Sequence, residues 1–125
     1  MRRASRRDVA KVYRIQDHEG RGPFRPGFSQ TWLDDVERVG PPTWMEEFGW
    51  DAAREAPDGA QVFSAVRTIS GIRKWFSDTE RPRLYALGYR LVEVPNAVVI
   101  RESEHQLLCW RGVPLSMACT FRSPV

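Results

Sequence analysis

Residues 89–121 read YRLVEVPNAVVIRESEHQLLCWRGVPLSMACTF, and this stretch decides the fold class. Tyr89 to Val94 alternates, with Val92 and Val94 on one face and Glu93 on the other, the period-two pattern of a half-buried strand. Ala97 to Arg101 is nearly all apolar at its start. Gln106 to Trp110 and Met117 to Phe121 supply a third and a fourth apolar run. The links between them are short, and short links join antiparallel neighbours. Four strands of one mostly antiparallel sheet are therefore expected.

Upstream the periodicity changes. Asp78-Thr79 starts a helix carrying Leu84, Tyr85 and Leu87, with Pro82 tolerable in its first turn and Gly88 suited to a left-handed C-cap. Ser70 is a good N-cap for a helix with Ile72, Trp75 and Phe76. Gln61 to Val66 reads as a short strand, and residues 51–59 as a loop or loose turn. Thr43 caps a short helix with Trp44, Met45 and Phe48 on its apolar side. Ser29 opens another, with Phe28, Trp32, Leu33 and Val36 at helical spacing, stopped by Gly40-Pro41-Pro42. Residues 17–27, DHEGRGPFRPG, carry three Gly and two Pro and must be a loop. A strand is expected around residues 10–15. The class is α+β: an N-terminal strand and short helices packed on a mostly antiparallel C-terminal sheet. Residues 1–8 read as a basic flexible tail and 9–125 as one domain.

Composition narrows the function classes. A chain of 125 residues supports one core, and 42% hydrophobic with 28% charged residues is ordinary for a globular domain. No apolar run approaches the roughly 20 residues of a membrane helix, and the Arg-rich start has no apolar stretch behind it, so neither a membrane span nor a secretory signal is expected. Two cysteines, Cys109 and Cys119, make no disulfide framework; reduced thiols in a cytoplasmic protein are the simpler reading. Net charge is +3, yet residues 1–25 hold eight Arg or Lys against Asp8, Asp17 and Glu19. A basic arm of this kind can meet phosphate backbones or an acidic protein face, and a solvated, frayed tail is the bland alternative.

Several chemistries are excluded by their missing motifs. There is no glycine-rich dinucleotide turn after a strand, no phosphate loop ending in Gly-Lys-Ser/Thr, no Cys pair at metal-ligand spacing and no Ser at a sharp Gly-flanked turn. Only His18 and His105 could join Asp17, Glu19 or Cys109 in a zinc site, and no metal is expected.

Three features remain. Arg14 in the first strand points toward the loop containing Arg21 and Arg25, an arrangement able to clamp a diphosphate, because guanidinium binds phosphate oxygens in a fixed two-pronged geometry and glycines admit close backbone approach. Glu102-Ser103-Glu104 places two carboxylates on one side of a strand end if the chain stays extended, where they could stabilise a developing positive charge. Phe28, Trp32, Trp44, Phe48, Trp50, Trp75 and Phe76 are a dense aromatic set, more often core than a stacking platform.

An Arg in the first strand, a Ser in a middle strand and Glu-x-Glu near the last strands is the order found in mono-ADP-ribosyltransferases. Arg14, Ser64 and Glu102/Glu104 follow it, and LGYRLVEV…ESEHQLLCW resembles the closing part of small phage and bacterial members of that fold. Where that family carries Ser-Thr-Ser, this chain has Ser64-Ala65-Val66. The resemblance implies an NAD-dependent transferase that modifies a host or defence protein, in the manner of a toxin. Arg14, with Arg21 and Arg25 of the loop, would hold the NAD phosphates. Ser64 would support the pocket, Glu104 would stabilise the oxocarbenium-like transition state and Glu102 would position the acceptor. The competing expectation is a non-catalytic phage or bacterial binding protein, such as an inhibitor of a CRISPR-type defence complex or a nucleic-acid-associated factor, using the basic arm and aromatic surface. A transferase requires a cleft where Arg14 and Glu104 converge; a binder does not.

Overall fold

The computed structural model describes residues 8–24, 27–34, 43–117 and 119–121. Its strands are β1 (Val9–Gln16), β2 (Gln61–Ala65), β3 (Arg90–Glu102), β4 (Leu107–Arg111) and β5 (Thr120–Phe121); its α-helices are α1 (Trp44–Phe48), α2 (Ile69–Trp75) and α3 (Glu80–Ala86). The strands form one antiparallel sheet in the order β1-β3-β4-β2, with β5 paired to β3. This is the α+β class that the sequence implies, but β1 and β2 belong to the same sheet as the C-terminal strands.

The two runs at 89–94 and 97–101 fuse into a single strand. Pro95 cannot donate to a ladder, and Asn96 takes φ 58°. A bulge absorbs both: Val12 pairs with Val94 and Ala10 with Ala97, so two residues of β3 stand against Lys11 alone. A second irregularity at Ile100 lets Val99 pair with Cys109 and Arg101 with Leu108. Bulges sharpen strand twist, and the outer strands of the sheet are joined: Tyr13 and Val66 exchange backbone hydrogen bonds of 2.8 and 2.9 Å. The sheet thus wraps into a small, half-open barrel. Beyond this bridge β1 and β2 have no further paired residues, and a seam separates them.

Alternation sorts side chains to the two faces of the wrapped sheet. Val12, Phe63, Ala65, Val92, Val94, Ala97, Val99, Leu107 and Cys109 fill its inside together with Leu115. Ile15 and Leu91 face outward into a second cluster with Trp32, Ile72, Phe76, Leu84 and Tyr89, beneath α2 and α3. The expected core residues Trp32, Ile72, Phe76, Val92, Val94, Val99 and Leu107 are buried, whereas Leu33 and Trp75 are half-buried.

Helix starts show how local chemistry fixes boundaries. Thr43 caps α1 in a full capping box with Glu46. Thr68, not Ser70, caps α2 by accepting from Gly71 N–H. Ser29 opens a 3-10 turn at Ser29–Thr31, whose cap residue is Phe28 without a side-chain bond. Val36 and Gly40-Pro41-Pro42 lie outside the described residues, as does the basic arm over 1–7. Asp8 does not belong to a free tail: its carbonyl accepts from Val99 N–H at 2.8 Å. Among the described residues no helix is long and apolar enough to cross a membrane.

Candidate functional site: the seam beside Arg14

The loop after β1 is held by its own carboxylate. Asp17 accepts the Glu19 and Arg21 backbone N–H groups at 3.0 and 2.9 Å and Arg21 Nε at 2.8 Å. Burial works to raise the Asp17 carboxyl, but these three donors outweigh it and hold the group below its ordinary value. Gly20 must be glycine: its φ is 85°, and a Cβ there would stand 2.8 Å from Leu115 Cβ. The loop then turns over the seam. Pro23 carbonyl accepts Trp32 Nε1–H at 3.1 Å, which sets Gly22, Pro23 and Phe24 against the gap between β1 and β2.

Arg14 lies at that gap. On β1 it shares its face with Val12 and Gln16, so its side chain enters the barrel end, with its guanidinium carbon 5.4 Å from the Phe63 ring centroid. Nε and Nη1 are shut off from solvent and have no hydrogen-bond partner among the described residues. A Cβ on Gly22 would stand 3.2 Å from Nη2, so the glycine permits the loop to close over the cation. Burial pulls the guanidinium down to about 10, against the upward pull of Cys119, Cys109 and Asp17; it remains a cation at neutral pH.

Two cavities flank this group and share Arg14, Gly22, Phe24, Ser64 and Gln106. One of about 150 Å³ lies under α2, walled by Ile15, Ile72, Trp75 and Phe76. The other, about 380 Å³, runs along β2 past Arg21, Trp44, Met45 and Gln61. The larger volume is at the lower end of the roughly 300–1,000 Å³ of small-molecule sites.

Of the expected site residues, Arg14 and Ser64 meet at both cavities and Arg21 lines the larger one. Arg21 is not a free clamp, because Nε bonds Asp17 and Nη2 bonds Glu19 Oε2 at 3.0 Å. Arg25 lies outside the described residues. The carboxylate pair is elsewhere. The chain leaves β3 at Glu102 and turns over 103–106, where Ser103 Oγ accepts the backbone N–H groups of His105 and Gln106; the extended geometry expected for Glu102 and Glu104 is absent. Glu102 accepts Arg67 Nε and Nη2 at 2.9 and 3.0 Å, and the same Arg67 donates to Asp8 at 2.7 Å. Glu104 is 83% exposed, 3.6 Å from His105 Nε2. Neither carboxylate lines the cavities at Arg14.

Gly22 belongs to the glycine loop expected near Arg14; Gln106 and His105 join the site without any sequence signal for it. Gln106 and His105 reach the seam only because the β3–β4 turn folds back toward α2, where Trp75 Nε1 donates to His105 carbonyl at 3.0 Å; nothing local announces that. Gly22 was legible as a glycine in an Arg-bearing loop. Of the aromatic set, Trp50 stands out at 68% exposed, edge-on to Trp44 at 5.4 Å. Cys109 and Cys119 are both free thiols. The chain matches no protein-family model, no curated protein and no solved structure.

Proposed function

We propose that this protein binds a small organic oxyanion in the seam between β1 and β2, without transforming it. The observation that carries this reading is the half-buried Arg14, whose guanidinium Nε and Nη1 are shut off from solvent and have no partner among the described residues, beside two cavities. Burying a charge unpaired costs several kcal/mol. An entering phosphate or carboxylate offsets that cost; Ser64 lies at the same walls, with Gln106, whose Nε2 donates to Glu47 at 2.9 Å. NAD, the cofactor implied by the transferase resemblance, is one such oxyanion. Turnover of NAD asks for a carboxylate on the ligand that Arg14 holds. Glu102 is committed to Arg67 and Glu104 stands on the outer turn, so binding is the activity this geometry favours.

The test is calorimetric titration with pyrophosphate, ADP-ribose and NAD, against wild type and Arg14→Met, with nicotinamide release followed by chromatography. Binding that disappears in Arg14→Met, without nicotinamide release, is the expected outcome. Nicotinamide release abolished by Glu104→Gln restores the transferase. No binding by any of the three rejects NAD and its diphosphate fragments as occupants.

A further inference from the structure

The smaller cavity says more about the ligand than its charge. A half-open cavity of about 150 Å³ lies between β1 and α2. Its body is Ile15, Phe24, Ile72 and Phe76, with Phe24 and Phe76 rings 5.4 Å apart. Its polar groups, Arg14, Ser64, His105 and Gln106, come from β1, β2 and the turn before β4. An apolar cavity of about 150 Å³ accepts a benzene-sized ring. Phosphate or carboxylate alone leaves its apolar walls in contact with water, and a bicyclic base exceeds its volume.

Resting on the oxyanion reading above, we propose that the occupant is a monocyclic aryl oxyanion: its single six-membered ring fills the space among Ile15, Phe24, Ile72 and Phe76, and its carboxylate or phosphate lies on Arg14. Aromatic walls favour a flat ring through edge and offset contacts, and transfer of the ring from water adds affinity that a bare anion lacks.

Inorganic phosphate, phenyl phosphate, benzoate and neutral benzamide are titrated into the full chain by calorimetry. Phenyl phosphate is expected to bind at least tenfold tighter than inorganic phosphate, and benzamide far more weakly than benzoate. Phenyl phosphate against benzoate distinguishes the two anion sources. Ile72→Phe, which fills the cavity, should bring the ratio of phenyl phosphate to phosphate affinity toward one. Nuclear Overhauser contacts from the phenyl protons to the Ile72 methyls in wild type provide a check independent of that variant's folding. Phosphate bound through Arg14 with no gain from the ring, or ring contacts elsewhere, overturns the aryl inference and leaves the oxyanion site standing. Failure of every anion to bind overturns both.

Discussion

Two arginines sit at the barrel ends, and they differ in what surrounds them. Arg111, at the end of β4, is 5% exposed and donates to the carbonyls of Val113, Pro114 and Met117 at 2.9, 2.7 and 2.5 Å. It organises the segment after β4 by giving its backbone acceptors a fixed donor. Arg14, near the end of β1, carries the same guanidinium, but its Nε and Nη1 meet no acceptor among the described residues. The first arrangement is complete within the chain; the second is completed by something that enters. The lesson is that a buried charge reads as structural or functional from its partner list, not from its burial.

The comparison is sharpest in stability. Arg111→Met takes from the segment after β4 the donor shared by three of its carbonyls and should destabilise by about 2–3 kcal/mol in urea unfolding. Arg14→Met removes a charge whose Nε and Nη1 have no partner among the described residues and keeps similar volume; it should be neutral or stabilising by about 1–2 kcal/mol. If Arg14→Met costs as much as Arg111→Met, Arg14 has an internal partner, for which the unpartnered Gln16 Oε1 two residues along the same face is the first suspect.

Cys109 probes the interior between the two. Burial pushes its thiol up to about 12, against the downward pull of Arg67 and Arg14. The folded chain therefore holds this proton more tightly than the unfolded chain does. The stabilisation is complete below the ordinary value of 9.0 and is lost as pH rises through about 12. Cys109→Ala should flatten that alkaline decline, measured as urea midpoint against pH. An unchanged slope places the decline on other groups.

Arg67 gives the smallest expected effect. Its carboxylate partners Asp8 and Glu102 are half exposed, so Arg67→Ala should cost about 1 kcal/mol or less and lose most of that effect in high salt. A salt-insensitive loss of several kcal/mol would make Arg67 a closed structural group like Arg111.

Much of the fold was legible because its signals are local. Thr43 three residues before Glu46, Gly88 after Leu87 and the alternation around Glu93 each act over a turn or a strand. The site was legible by half. Arg14 and its glycine loop are close in sequence and meet as expected. An extended chain would set Glu102 and Glu104 side by side, but a Ser103-centred turn separates them. Their distance from Arg14 depends on which strands pair.

The sequence by itself determined the α+β class, the approximate places of most strands and of helices α1 to α3 and the basic N-terminal bias, because hydrophobic period and capping chemistry are properties of a few consecutive residues. Only the tertiary structure decided that β1 and β2 join at Tyr13 and Val66 and then part, leaving Arg14 Nε and Nη1 without an acceptor among the described residues and a ring-sized space beside them. That outcome rests on the two irregularities in β3 and on the closure of a sheet whose outer strands begin about fifty residues apart in the chain. Closure of this kind is a sum of long-range contacts, and no local pattern encodes where it stops.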